Sequence, residues 1–313
     1  MAPNASTRET YGKVLVELGR ENPNIVVLGG DLNKSTFTYL FAREFPERFF
    51  DFGPAEQNLL SVAAGLASAG KIPFVSTFAV FGTGRAFDQL RVGIAQPGLN
   101  VKLVCTHAGI ITGEDGTSAQ SIEDIALTCS LPSFTVIAPA DAVETAHAVR
   151  AAASASGPFY IRLYRPSMPV VHRDGCSFHT GKAEAMRPGR DVTIIACGIM
   201  LAAALEAAQD LSAEGIECRV LNMHTVKPLD EEALEAAARE TGAIVTAEEH
   251  YLNGGLGSLV AAALGRRFPV PLETVALTRY AESGKPEHLL EKYGLTAKDV
   301  ERAARRAVQR KRR

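Results

Sequence analysis

Short apolar runs alternate with longer Ala/Leu-rich segments of helical period along the chain. In the first half, residues 24–32 (NIVVLGGDL), 72–78 (IPFVSTF), 101–109 (VKLVCTHAG), 134–141 (FTVIAPAD) and 158–166 (PFYIRLYRP) are rich in β-branched residues and nearly continuous in their apolarity. Such runs predict strands buried on both faces, and the stretches between them read as helices. Residues 166–190 break the rhythm with Pro, Gly and polar residues, as a connection between domains does. A second set follows, with strands expected at 191–198, 217–228, 243–250 and 272–278 and helices at 201–215, 229–242 and 254–267. The reading is an α/β chain of two domains, 1–165 and 191–313, joined by a linker at 166–190. Each domain is expected to be a mostly parallel sheet covered by helices.

Composition narrows the possibilities. A chain of 313 residues, 46% hydrophobic and 22% charged, has the makeup of a cored protein and not of a disordered one. Its 33 basic residues nearly balance 35 acidic ones, so it offers no general attraction for nucleic acid or anionic lipid. The exception is the run RAARRAVQRKRR, with Arg302, Arg305, Arg306, Arg310, Lys311, Arg312 and Arg313, expected to be a frayed, solvated helix end without function. Five scattered cysteines without CxxC or Cys/His spacing point to neither a disulfide framework nor a structural zinc site, and suit a reducing cytoplasm. No apolar stretch reaches the roughly 18 residues of a membrane span, and the first residues lack a signal-peptide core.

In parallel α/β sheets, ligands gather in the loops at the carboxyl ends of the strands. Those loops here carry Asp31 and Ser35 (GGDLNKST), Phe78 and Phe81 (FAVFGTGR), His107, Glu114, Asp115 and Gln120 (THAGIITGEDGTSAQ), and Arg165. Singly, each reads as a turn, cap or core residue; their gathering in one sheet's loops makes them candidates. Glu56 heads the apolar segment GPAEQNLLSVAAGLASAG. As a helix-start acid it gains about 0.3–1 kcal/mol from the macrodipole. Forced against apolar surface and a ligand, it would instead have a raised pKa and share a proton with a heterocyclic nitrogen. Spacing alone leaves both readings open.

Five separated motifs carry a resemblance. GGDLNKS (29–35), GPAEQNLLSVAAGLA (53–67), STFAVFGTGRAFDQLR (76–91), THAGIITGEDGTSAQSIEDIAL (106–127) and EEHYLNGGLGSLVAAAL (248–264) together resemble the C-terminal half of transketolase, most closely the small chain of transketolases split into two polypeptides. The likeness runs from about residue 6 to about residue 290. The family's GDG and downstream Asn signature, which holds magnesium and diphosphate, is absent, so metal ligands are expected on a partner chain and none here.

The resemblance implies a thiamine diphosphate enzyme. Glu56 matches the glutamate that bonds the 1′ nitrogen of the aminopyrimidine and promotes the imino tautomer that deprotonates the thiazolium carbon. Phe78 and Phe81 match the aromatics that pack on the pyrimidine, and Asp31 an aspartate near the cofactor at the subunit boundary. Arg8, Ser35, His107 and Arg165 match the family's substrate-phosphate pocket, and Asp115 an aspartate that bonds a substrate hydroxyl. The implied assembly is a heterotetramer of two large and two small subunits, with the C-terminal domain and EEHYLNGGLG serving the dimer contact more than chemistry.

Two positions depart from the pattern. Ala119 stands where a histidine usually contacts the donor ketose, and Gly84 where many members have a tyrosine beside the pyrimidine. The resemblance thus implies transfer of a two-carbon ketol unit between sugar phosphates, with donor and acceptor open. Alternatives are a subunit like deoxyxylulose phosphate synthase or a 2-oxo acid dehydrogenase beta chain, a specialised-pathway transfer favoured by Ala119, and a catalytically silent structural subunit.

Overall fold

The computed structural model describes residues 3–173 and 176–311. Residues 174–175 of the expected linker, and Arg312 and Arg313 of the basic end, lie outside the described residues. The strands are β1 (Asn4–Ala5), β2 (Ile25–Gly29), β3 (Phe49–Asp51), β4 (Ile72–Ser76), β5 (Lys102–Cys105), β6 (Thr135–Ile137), β7 (Phe159–Arg162), β8 (Met168–Pro169), β9 (Glu184–Arg187), β10 (Val192–Ala196), β11 (Cys218–Asn222), β12 (Thr225–Lys227), β13 (Ile244–Tyr251) and β14 (Leu272–Leu277). The α-helices are α1 (Thr7–Glu21), α2 (Tyr39–Glu44), α3 (Glu56–Ser68), α4 (Asp124–Cys129), α5 (Ala142–Ser154), α6 (Met200–Ala213), α7 (Glu231–Thr241), α8 (Leu256–Arg267), α9 (Pro286–Tyr293) and α10 (Ala297–Lys311).

The first sheet runs β12-β6-β7-β5-β4-β2-β3 and is parallel except for β12. The second runs β14-β13-β10-β11-β9 and is parallel except for β9. The two-domain α/β expectation holds because β2, β5, β7 and β10 are buried at every position, as strands covered on both faces must be. Helix α1 begins where the Ser6 side chain accepts the Glu9 N–H, and it lays Tyr11, Val14, Leu15 and Leu18 on the sheet. Helix α3 buries Leu59, Leu60, Ala63 and Ala64 and carries Glu56 as its first residue.

Three expectations change. The run 217–228 is two strands: the Met223 N–H donates to Ala196 in the second sheet, while the His224 carbonyl accepts from Ala138 at the edge of the first. One apolar run thus serves both cores. The stretch 166–190 supplies two strands, β8 pairing with β1 and β9 closing the edge of the second sheet. Finally, the described part of the basic end is a docked helix and not a frayed one. Val300, Ala303, Ala304, Ala307 and Val308 form the buried stripe of α10, Arg305 pairs with Glu214 and Glu301, and Arg306 and Arg310 pair with Glu273.

Polar groups join the domains where they meet. Asp141, the N-cap of α5, accepts from the His172 main chain and Nδ1, and His172 Nε2 lies 3.1 Å from Glu184. Burial works against a charge on His172, but the Asp141 hydrogen bond and the carboxylates of Glu144, Asp141 and Glu184 outweigh it and raise the imidazole to about 9. Burial also pushes the Glu144 carboxyl up to about 7.

Candidate active site

The site lies beyond the carboxyl ends of β2, β4 and β5. Glu56 is 1% exposed, and its carboxylate is held from two sides: the Thr77 hydroxyl, next after β4, donates to Oε1 at 3.4 Å, and Arg85 Nη1 donates to Oε2 at 2.8 Å. Neither partner is apparent from the apolar segment that Glu56 heads. Arg85 reaches it because residues Val80–Arg85 form a π-helical turn, a form that recurs at functional sites. Gly82 permits the turn: a Cβ there would meet Cys105 Sγ at 2.7 Å.

Phe78 precedes this turn and Phe81 lies within it. Their rings are nearly parallel, 14° apart with centroids 5.9 Å apart. His107 stacks on Phe78 at 3.6 Å and 19°, and the Arg85 guanidinium carbon lies 4.2 Å from the Phe81 centroid. A row of flat groups thus runs from Arg85 to His107 beside the buried acid.

His107 closes the site toward the polar cluster. It holds a left-handed backbone with φ +59°, which ends the expected 101–109 strand at Cys105. Asp31 and Phe37 share that strained form, each in the loop after β2. Burial lowers the His107 imidazole to about 3, with nearby Arg8 and Arg165 adding to the effect, so the ring is neutral. Its Nδ1 pairs with the Thr106 hydroxyl at 2.8 Å.

The two arginines feel each other and share an acid. Burial first and Arg165 second lower the Arg8 pKa, and Asp115 partly restores it. Arg8 Nη1 donates to the Ser35 carbonyl at 2.7 Å, which draws the Ser35 loop in, while Arg8 Nε is buried without a partner among the described residues. Arg165 pairs with Glu114 at 2.8 Å and lies 3.8 Å from Asp115. Arg8, Ser35, His107, Asp115 and Arg165 therefore come together. Asp31 is exposed and stands nearer the start of the loop that carries Ser35, where its N–H donates to Asp51 Oδ1 at 3.0 Å. Asp51 also accepts from Gly53 and Asn33 and so organises that loop, a role its place at a strand end did not signal.

The loop carrying Asp115 is braced by the second domain. Thr117 donates to the Ala281 carbonyl, Gln120 to Glu282, and Ser283 to Glu114. In EEHYLNGGLG, Glu248 accepts the Leu256 and Gly257 N–H groups at the start of α8, Glu249 accepts that of Ile111, and His250 accepts that of Ala126. Burial raises both carboxyls to about 7. Glu249 and His250 thus tie the second domain to the first, while Glu248 holds the start of α8 within the second. Among the described residues one group, Glu144, His172 and Glu184, gathers metal-ligand atoms within 4.8 Å, but its histidine is held there as a cation.

Fold and site define a two-domain α/β enzyme chain with a buried acid and aromatic row beside an arginine-rich cluster. The chain belongs to the transketolase family. The family model described as transketolase, pyrimidine binding domain matches residues 4–170, and that described as transketolase, C-terminal domain matches 181–300. The chain is 43% identical to the 6-deoxy-6-sulfo-D-fructose transketolase subunit of Clostridium sp. (strain MSTE9), covering 97% of this chain and 95% of that one. It is 42% identical to the putative transketolase C-terminal section of Methanocaldococcus jannaschii, covering 94% and 93%. A solved structure described as split gene transketolase, inactive beta4 tetramer, superposes with a TM-score of 0.91 at 53% identity, covering 99% of this chain and all of that one. The chain spans about half the length of the mouse and human transketolase relatives that it also matches. Membership in this family implies thiamine diphosphate as cofactor and, through the split relatives, an N-terminal partner subunit in an oligomer.

Proposed function

We propose that this chain is the small, pyrimidine-side subunit of a two-component transketolase, and that it moves a two-carbon ketol unit from a ketose phosphate to an aldose phosphate only with its N-terminal partner. One observation carries the reading: the buried Glu56 carboxylate lies beside the Thr77 hydroxyl and the Phe78 and Phe81 rings. An acid at the edge and aromatic faces alongside are what a flat nitrogen heterocycle needs, so the residues fit the aminopyrimidine of thiamine diphosphate. When bound, that cofactor supplies the nucleophilic carbon that takes up the ketol unit. Glu56 would hold a proton at the 1′ nitrogen, and Thr77 would fix the carboxyl's orientation. Phe78 and Phe81 would exclude water and add about 0.5–1.5 kcal/mol per aromatic contact.

Arg8, Ser35, His107 and Arg165 would hold the substrate's anionic end; the buried, unpartnered Arg8 Nε supports an acceptor from outside the chain. Asp115 would bond a sugar hydroxyl, and Asp31 would stand near the cofactor at the subunit boundary. Magnesium and diphosphate would be held by the partner, in a cytoplasmic assembly of two large and two small subunits. The division 1–165 and 191–313 is the proposed domain plan.

A second reading of the donor is favoured by Ala119 and by the cluster's charge. Arg8 and Arg165 bring two positive charges, Glu114 and Asp115 two negative ones, and His107 is neutral. Such a cluster suits a tetrahedral oxyanion of low charge, and the Clostridium relative is named for a sulfonated ketose. The test is ketol transfer by this chain co-purified with its N-terminal subunit, from ketose phosphates and from 6-deoxy-6-sulfofructose, compared by kcat/KM. Transfer by the pair and by neither chain alone is expected. No transfer from any of these donors would overturn the proposal.

A further inference from the structure

Arg85 is a residue that neither the motifs nor the reading above assigns. Its side chain is 42% exposed, rooted on the π-helical turn, yet its guanidinium reaches in to Glu56 at 2.8 Å and lies 4.2 Å from the Phe81 centroid. A guanidinium is flat, donates hydrogen bonds from its edge and stacks on aromatic faces. Those are the two contacts, acid at the edge and ring at the face, proposed for the aminopyrimidine. One atom pair cannot serve both groups.

We propose that Arg85 competes with the cofactor's aminopyrimidine for Glu56 and Phe81, and must swing toward solvent before the ring can seat. This rests on the assignment of Glu56 and Phe81 made above. Three features support a side chain built to leave. Its side chain is already 42% exposed, the space where a Cβ on Gly84 would stand is open apart from its chain neighbours, and Glu56 keeps the Thr77 hydroxyl when Arg85 departs. An uncompensated buried carboxylate is costly, so the guanidinium holds the acid until the ring takes its place. It also sets a threshold for binding. If the guanidinium occupies the site about nine-tenths of the time, apparent cofactor affinity is lowered roughly tenfold.

The test is calorimetric titration of thiamine diphosphate, with magnesium, into the complex of this chain and its N-terminal partner. Arg85→Ala and Arg85→Gln are compared with wild type, alongside the melting temperature of this chain alone. The expected result is a Kd lowered by roughly threefold to tenfold in both variants, with a lower melting temperature for the chain. A purely structural role for Arg85 would give the opposite sign, since loosening the site weakens binding. Binding by wild type with an equal or higher Kd in both variants would overturn this inference alone. No binding by any of the complexes would overturn it together with the functional reading.

Discussion

Arg162 Nη2 donates to the main-chain carbonyl of Glu249 at 2.9 Å, and so ties the middle of the first sheet to the long strand of the second. The same guanidinium donates through Nε to Asp124 at 2.8 Å, where the Tyr160 hydroxyl also donates at 2.6 Å. Glu249 in turn accepts the Ile111 N–H, so the loop that carries Asp115 hangs from this junction. Asp124 and Glu249 would both be left buried and uncompensated by Arg162→Met. The expected loss is about 3–5 kcal/mol, read by urea unfolding, with part of it recovered in the Arg162→Met/Asp124→Asn double variant. A loss smaller than about 1 kcal/mol would show that the junction does not depend on this cation.

His172 gives the junction a pH dependence of definite sign. Its folded pKa, about 9, lies above the ordinary value of 6.5, so its stabilisation is complete below about 6.5 and is lost as pH rises through 9. The difference in stability between wild type and His172→Gln should be on the order of 2–3 kcal/mol at the acid end and shrink toward alkaline pH. A gap that stays constant with pH would count against a charged His172.

Phe81 keeps part of its surface exposed, where a ligand can reach it once Arg85 moves away. For Phe81→Ala we expect thiamine diphosphate binding by the two-subunit complex to weaken about tenfold or more, from a loss of about 1.5–3 kcal/mol of burial and stacking. Unchanged affinity would remove Phe81 from the site.

Arg165 tests the anion cluster. Arg165→Met should raise the KM for a phosphorylated ketose by about 10–100-fold, the loss of one charge-assisted hydrogen bond, with a smaller effect on kcat. Glu114→Gln, which frees Arg165 from its pairing at 2.8 Å, should act in the opposite direction. Equal KM values in all three proteins would place the anion elsewhere.

Much of the fold could be read from the chain because strands covered on both faces are written as nearly continuous apolar runs, and ten of the fourteen strands among the described residues fall in the segments read as strands. The exceptions have physical causes. Glu184–Arg187 is a short edge strand with charged ends, so it carries no apolar signature. The division of 217–228 depends on two buried residues, Met223 and His224, whose backbone groups face different sheets. The docking of α10 rests on the stripe Val300, Ala303, Ala304, Ala307 and Val308, whose mostly alanine surface is a weak apolar signal among so many arginines. In the site, the motifs named the residues that approach one another, but Arg85 was invisible in GTGR, which reads as a turn. Only the π-helical form of that turn carries its guanidinium back to an acid 29 positions earlier.

The role proposed for Glu56 is to activate thiamine diphosphate held across two chains. Its most direct measure is the rate of hydrogen–deuterium exchange at the thiazolium C2 of cofactor bound to the complex, with wild-type chain and with Glu56→Gln. Exchange is expected to slow by about 10²–10⁴-fold in the variant, as for loss of a general acid-base group, while the cofactor remains bound. Exchange at the wild-type rate in the Glu56→Gln complex would contradict it.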